Sequence, residues 1–374
     1  MREWPPGFGG VERVAHELAD ALMPVAAGVR TVSLRGPAPG GGADPLPVSY
    51  PRVHLPSLAL GQLLLPLPGP RLLRILIGRQ PLHIHLPCPS LLLLSVAARL
   101  LRPRRRIRFH WHAFLEQEPG GKGRLMAIYQ WLALRWLAVA ADAVVTTSPV
   151  LADALCGEGI PRSRLVVLPC FLPAASEAAR ERCQAALPDW TRGERPFRLL
   201  FVGRLDSYKR VDWLIGAVPP GGGTELHVVG DGPRRTALAA QAAASPAAAW
   251  ITFHGRLDEA AKQDLIATSD LLVLPADRSN EAFGIVQLEA MAFGVPALSL
   301  ERARSGTAWV SGLGTVLERH GVAPARDARG LAEAIRLLRE RPAWWAEAAG
   351  AARRRYEAVF ARSVVLPQVM ALAR

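Results

Sequence analysis

The sequence predicts an α/β protein of two domains, each built on a parallel sheet with helices between its strands. Three observations predict it. The chain has 374 residues and half of them are hydrophobic, enough for two or three buried cores. Short apolar runs alternate with segments of helical period, separated by Gly and Pro, from one end to the other. The clearest unit, 270–300, reads strand–loop–helix–strand. Its apolar run Leu271–Leu274 stops at Pro275, and a polar loop ends in Glu281-Ala282-Phe283-Gly284. A helical pattern from Ile285 to Ala292 closes on Gly294 and Pro296, and Pro296 to Leu300 reads as the next strand.

Composition narrows the classes. The net charge is +13, yet 42 of the 45 basic residues are arginine; the lysines are Lys122, Lys209 and Lys262. With abundant Ala, Gly and Pro this points to GC-rich coding, which weakens charge as evidence and makes each lysine more informative. Cys88, Cys156, Cys170 and Cys183 fit neither a disulfide framework nor a metal spacing. Together with the lack of a secretory pattern, this predicts a reducing, cytoplasmic location. The apolar regions 58–77 and 81–101 are broken by prolines and arginines, short of the roughly 18–20 unbroken residues that span a bilayer.

In chain order, Pro5–Gly10 form a loop and Val11–Met23 a helix with Val11, Val14, Leu18 and Leu22 on one face. Gly9 and Gly10 before a helix let backbone approach a phosphate or a sugar. Val29–Leu34 read as a strand, Gly36–Asp44 as a loop, His83–Leu86 as a short buried strand and Leu91–Leu101 as a helix. Arg102, Arg104, Arg105, Arg106 and Arg108 then cluster before the strand Ile107–His112. With the leucine-rich 58–77 stretch they form a candidate patch for an anionic membrane surface, against the reading of a solvated turn. The arginines are not interleaved with stacking aromatics, which disfavours nucleic acid. His110 and His112 sit at a strand's C-terminal end, where open α/β sheets bind ligands. Arg124–Ala141 form a long apolar helix, DAVVTTS (142–148) and Leu165–Leu168 give two more strands, and 172–196 read as a linker.

The second half opens with the buried strand FRLLFVG and the loop RLDSYK, then a helix from Arg210 to Val218. Arg204 and Lys209 stand five apart on that loop, where two cations can clamp a diphosphate and offset charge developing on a leaving group. LHVVGDGPRRTAL repeats the strand–Gly loop–helix pattern through Gly230, and ITFHGRLDE adds a strand and the loop carrying Arg256. G-D-G-P is not the G-x-G-x-x-G fingerprint, so a nicotinamide cofactor is not supported. No H-E-x-x-H or Cys/His cluster supports a metal. Leu331–Leu338 and Trp344–Phe360 close the chain as helices. In the 270–300 unit, Glu281 lies in the loop and Glu289 on the helix eight positions later, with free amides at the helix start between them. Two carboxylates flanking an anion site suit a sugar joined to a diphosphate.

Glu281 and Glu289 in this context resemble the E-x7-E signature of the retaining GT-B glycosyltransferases of family four. G-R-L-x-x-x-K at Gly203–Lys209, P-x-x-G-G-x-E at the start, the strand ending F-H-W-H and A-D-x-V-x-x-x-S at Ala141–Ser148 are similar to that family's other motifs. RSGTAWVSGLG looks like the variant of a bacterial surface-polysaccharide subgroup of mannosyl- and rhamnosyltransferases. The resemblance implies two facing Rossmann-like domains with a cleft between them. Residues 1–190 would form the acceptor-side domain, 197–345 the donor-binding domain, and 346–374 a helix crossing back. It implies that Glu281 contacts the donor sugar, the amides of Phe283, Gly284 and Ile285 meet the distal phosphate, and Glu289 binds the ribose. Arg204 and Lys209 would stabilise departing charge, and His112 would lie by the sugar. Gly9, Gly10, Gly203, Gly230 and Arg256 would line the donor.

One departure stands out. The family has an apolar strand before the first glycine loop, and only Met1–Trp4 precede it here, so a misassigned start or a truncation is expected. The implied activity is transfer of a hexose with retained configuration from a nucleotide sugar, with a lean toward GDP-mannose. The acceptor would be a lipid-linked or other saccharide. No metal or further cofactor is expected, and the protein would sit peripherally on the inner face of the cytoplasmic membrane. The alternatives are a nucleotide-sugar epimerase or hydrolase on the same fold, and a catalytically inactive, membrane-associated binding subunit.

Overall fold

A computed structural model describes residues 10–26, 28–35, 50–60, 63–116, 120–182, 190, 193 and 195–373. The chain divides into two compact units, Met1–Cys170 with Val365–Arg374, and Phe171–Val364. The division falls earlier than the 172–196 linker read from sequence, and for a packing reason. Glu177 accepts from Tyr356 Oη at 2.6 Å and from the Arg362 amide at 2.8 Å. Trp190 packs edge-on against Phe197 and Trp345. The segment after Cys170 is therefore committed to the second unit.

The first unit begins with α1 (Gly10–Leu22), then β1 (Thr31–Arg35), β2 (Arg52–Leu60) and β3 (Leu63–Pro66). β1 and β2 are parallel, while β3 returns antiparallel to β2. β2 and β3 were not read from sequence because Pro56 and Pro66 lie within them, and proline ordinarily argues against a strand. Then come α2 (Pro70–Leu76), β4 (Leu82–Leu86), α3 (Pro89–Leu101), β5 (Ile107–Trp111), α4 (Gly121–Ala140), β6 (Ala143–Thr146), α5 (Pro149–Gly157) and β7 (Leu165–Val167). β4 to β7 form a parallel sheet in sequential order. Phe109, Trp111, Phe114 and Leu137 lie at its centre, essentially without solvent contact.

Part of the predicted arginine patch is spent inside this unit. Arg105 is buried and donates to the carbonyls of Gln80 at 2.7 Å, Ile75 and Leu76; Arg102 Nε donates to Ile77 O at 2.9 Å. These carbonyls end α2 and open the turn beyond it, so the two arginines satisfy acceptors that a helix end leaves unpaired.

The second unit runs α6 (Ala174–Arg182), β8 (Phe197–Val202), α7 (Val211–Ala217), β9 (Thr224–Val229), α8 (Arg235–Ala243), β10 (Ile251–Gly255), α9 (Glu259–Ala267), β11 (Leu271–Leu274), α10 (Ile285–Ala292) and β12 (Ala297–Ser299). It continues with α11 (Thr307–Ser311), α12 (Leu313–Arg319), α13 (Ala328–Glu340), α14 (Pro342–Arg355) and the start of α15 (Arg362–Ala373). The sheet is parallel throughout, in the order β10-β9-β8-β11-β12. Both faces are covered, which is why its strands read as unbroken apolar runs. Leu199, Phe201, Leu271 and Val273 join one core with Leu214 and Leu338. Leu200 and Leu272 join the other with Ile266, Ala290 and Val295.

One buried charge locks the lower edge of this sheet. Asp270 is fully buried at the start of β11 and takes Arg195 in a bidentate pair at 2.7 and 2.8 Å, with a third bond from the Arg198 amide at 2.7 Å. Trp345 Nε1 donates to its carbonyl at 2.7 Å. Burial raises the Asp270 carboxyl pKa against the opposing pull of Arg195 and the Arg198 amide. Asp270→Ala strands Arg195 without its partner and is expected to cost about 3 kcal/mol in urea unfolding; a loss under about 1 kcal/mol, the level of an exposed pair, would show that the pair does not anchor the sheet.

Candidate functional site

In a parallel sheet the loops at the C-terminal ends of the strands gather along one edge. Here the four loops that follow β8, β9, β10 and β11 are bonded to one another. The Gly203 amide donates to Val229 O at 3.0 Å, the Leu205 amide to Asp231 O at 3.0 Å, and the Arg234 amide to Leu205 O at 3.0 Å. Gly230 has φ +128°, and a side chain there would overlap the Gly203 carbonyl. The G-D-G-P and G-R-L loops thus interlock backbone to backbone, which only glycine permits. The Gly230 amide donates in turn to Gly255 O at 2.6 Å.

The loop after β8 is tied to the loop after β11 by charge. Ser207–Lys209 make a single 3-10 turn, ended by Arg210 in the left-handed region at φ +50°. The Asp277 amide donates to Tyr208 O at 3.0 Å, and Arg210 Nε lies 3.6 Å from Asp277 Oδ2. Lys209 is buried, and its ammonium is in direct contact with Glu281 Oε2. Burial pulls the Lys209 pKa down, but Glu281 and Tyr208 outweigh it and hold the amine charged. Lys209 and the signature loop are therefore in contact. Arg204 is not part of that contact: its side chain is 71% exposed and pairs with Asp206 at 3.2 Å.

The helix that follows starts without a side-chain cap: Gly284 has φ +72° at the N-cap of α10. A side chain at Gly284 would overlap Leu274 and crowd Gln287. Gln287 instead donates to Phe283 O at 2.9 Å, and Ser305 Oγ to Glu281 O at 2.6 Å; the Gly306 amide donates to Ala282 O at 2.8 Å. Phe283 packs edge-on against Phe360, which also meets Trp309. The loop 281–284 is thus held from three sides while the amides of the first turn of α10, Ile285 among them, carry the positive end of the helix.

Glu289 is buried on α10 and pairs with Lys262 of α9 at 2.9 Å; Lys262 also reaches Glu259 at 2.9 Å. Lys262 was not among the residues read from the sequence as part of the site. The signal was present in the scarcity of lysine: two of the chain's three lysines each hold one of the two signature glutamates. Ser305 lies in the RSGTAWVSGLG stretch singled out in the sequence, but its hold on the Glu281 carbonyl was not read from it. Arg256 is exposed on the turn after β10.

In the first unit, Gly10 opens α1 in open space, and Gly9 lies outside the described residues. His112 is buried just past the end of β5, its amide on Leu86 O at 3.0 Å. Its Nε2 is 2.8 Å from His85 Nδ1, and two residues back on each strand His110 Nε2 is 2.9 Å from His83 Nδ1. The sequence showed His110 and His112 without these partners; β4 and β5 are in register with His85 opposite His110, so each hydrogen-bonded pair is a diagonal one, two residues out of register. Among the described residues no cluster of His, Cys, Asp or Glu is arranged to hold a metal ion.

Burial keeps all four histidines neutral, His83 and His112 at about 4 and His85 and His110 well below the usual 6.5. Their folded pKa values are depressed, so the unfolded chain binds more protons below about pH 6.5 and stability falls as the pH drops toward 4. Between pH 7 and 5 the expected loss is about 2 kcal/mol for each of His83 and His112. Urea unfolding at the two pH values checks this. His112→Gln, with one such group fewer, should lose less, and an equal loss in both proteins would contradict the account.

Comparison with known proteins identifies the family. Residues 196–341 match the family described as glycosyl transferases group 1, and residues 8–175 match Glycosyltransferase Family 4. A glycogen synthase of Mycobacterium tuberculosis is 32% identical over 233 residues, covering 60% of this chain and 52% of that protein. A GDP-mannose-dependent alpha-mannosyltransferase of the same species is 31% identical over 262 residues, covering 67% and 61%. The chain thus spans about half the length of the first of these relatives. Among solved structures, the Anabaena protein HepE in complex with UDP superposes with a TM-score of 0.69 at 18% identity, covering 99% of this chain and 97% of that one. Both halves carry the family's pattern and the whole chain follows its fold: the protein belongs to the group 1, family 4 glycosyltransferases, with the GT-B fold.

Proposed function

We propose that the protein transfers a hexose from a nucleoside diphosphate sugar to a hydroxyl acceptor with retained anomeric configuration. The observation that carries this reading is the meeting of Lys209 and Glu281 beside the uncapped start of α10. A buried ammonium and a row of helix amides together suit a diphosphate, and both favour the charge that develops as the nucleotide leaves. Glu281 is then the acceptor for the sugar's hydroxyls and Glu289, held by Lys262, the acceptor for the ribose. Arg204, exposed on its loop, is free to swing onto the phosphate from the Asp206 side. His112, the residue that the family likeness implies for the sugar, is buried and hydrogen-bonded to His85. The chain's own cations and amides supply the electrostatic stabilisation, so no metal is assigned a step.

The donor is read as GDP-mannose, in keeping with the mannosyltransferase relative. The acceptor is read as a saccharide of cell-surface polysaccharide, lipid-linked and met at the inner face of the cytoplasmic membrane. No described helix is long and apolar enough to cross a membrane, and the association is read as peripheral.

Radiolabelled sugar transfer tests the assignment. Lys209→Ala and Glu281→Ala are each expected to lower turnover by about 10²-fold, the scale of removing one preorganised donor at a developing anion. Transfer near the wild-type rate in both variants would refute it. Lys262→Met leaves Glu289 buried without its cation, so it is expected to weaken nucleoside diphosphate binding about tenfold, the cost of one charge-assisted bond. Calorimetric titration with GDP and UDP reads this out, and an unchanged affinity would remove Lys262 from the site.

A further inference from the structure

The two units treat water differently. Fifteen large hydrophobic side chains are exposed among the described residues, and every one belongs to the first unit. Base composition cannot produce this, because both units are encoded alike. A scatter of single exposed leucines would need no explanation, but a patch confined to one unit does.

The patch centres on α4. Leu125, Ile128, Trp131, Leu132 and Val139 recur on it at three- and four-residue spacing and are all exposed, Val139 by 74% and Leu125 by 66%. The opposite side of the same helix carries Ala133, Leu134 and Leu137 into the core. α4 is thus apolar on both sides, which a surface helix of a soluble protein is not. Its neighbour α3 is joined to it by Trp136 Nε1 donating to Ser95 Oγ at 2.9 Å, and exposes Leu93 and Leu100, seven apart on one stripe.

Charge completes the picture. Residues 51–141 hold thirteen of the chain's 45 basic residues and only two of its 32 acidic ones, so the remainder of the chain is nearly neutral, 32 basic against 30 acidic. α2, α3 and α4 contain no acidic residue at all. Arg124 and Arg135 lie within the apolar arc of α4, both exposed, and the Arg135 guanidinium sits 5.9 Å over the Trp131 ring. An amphipathic indole, leucines and long basic side chains that can reach upward are the equipment of a helix lying in a lipid interface.

We propose that the α3–α4 face of the first unit docks on an anionic lipid bilayer, with α4 lying along the surface and its apolar arc inserted below the headgroups. This deepens the peripheral-membrane reading given above and moves it from the arginine turn to α4, because Arg102 and Arg105 are occupied by backbone carbonyls. A second copy of the chain is a poorer occupant, since pairing this acid-free, basic face with itself opposes like charges. Anionic lipid supplies the missing negative charge, and the acyl region receives the leucines.

Sedimentation of the full chain with vesicles tests the proposal. Binding to phosphatidylcholine vesicles containing phosphatidylglycerol is expected to exceed binding to phosphatidylcholine alone by at least about tenfold. The triple variant Ile128→Gln, Leu132→Gln, Val139→Gln removes three inserting side chains and should lose at least about tenfold in binding. Since these side chains are exposed, its melting temperature should be unchanged or higher. Arg124→Gln with Arg135→Gln should flatten the salt dependence. The proposal is overturned if the wild-type chain stays in the supernatant with anionic vesicles, or if the triple variant binds as well as wild type. It is overturned equally if sedimentation velocity shows a wild-type dimer that the triple variant dissolves, which would assign the face to self-association. The rise in melting temperature with added GDP or UDP reports the second unit and should be the same in all these proteins. Its absence from the wild type would count against glycosyl transfer and leave the vesicle result standing.

Discussion

A lysine ammonium buried against a glutamate is the contact on which the candidate site depends. The loops after β8 and β11 follow neighbouring strands, but neighbouring loops have no intrinsic reason to stay together. Lys209 and Glu281 give them one. The pair is desolvated, so its attraction is screened little by solvent, and losing either partner leaves the other as an unmatched interior charge. On the proposed reading, a diphosphate arriving at the start of α10 offers Lys209 a second anion and frees Glu281 for hydroxyl groups.

The same logic repeats one helix away with Lys262 and Glu289. In a chain that uses arginine at nearly every basic position, lysine is kept at both places. A guanidinium is wide, planar and suited to two acceptors at once, whereas an ammonium is a compact point charge. Lys209 and Lys262 are both buried, and each meets its carboxylate as a compact charge.

Much of this was legible in the sequence, and what was hidden shares one cause. β11, α10 and the loop between them follow from Pro275, Gly284, Gly294 and an apolar run, all local signals, and they fall where the sequence puts them. The G-R-L and G-D-G-P loops were legible as separate turns. Their interlocking was not, because it depends on Gly230 meeting Gly203 across a strand pair. The histidine pairs were hidden for the same reason: His85 and His112 are 27 residues apart, and only the pairing of β4 with β5 brings them together, diagonally. β2 and β3 failed on local signal itself, since their prolines contradict the strand they occupy. The arginine cluster was visible but misleading, because sequence cannot tell a side chain that faces solvent from one that caps a helix.

The contrast between the units follows from what each must meet. The second unit buries its apolar side chains on both faces of the sheet and exposes no large one among the described residues. Its chemistry is carried by backbone amides and paired charges at one strand edge, which suits a small, water-borne, highly charged ligand. The first unit buries neutral histidines and aromatic side chains in its sheet, yet leaves leucines, an isoleucine and a tryptophan facing water on α3 and α4. That exposure has a solubility cost if nothing covers it. A sequence free to place Glu or Lys on the outer face of α4 has instead placed apolar residues at successive helical turns, with arginines between them. On the proposed reading this face does not meet bulk water in use, so that one unit serves a solute and the other a surface.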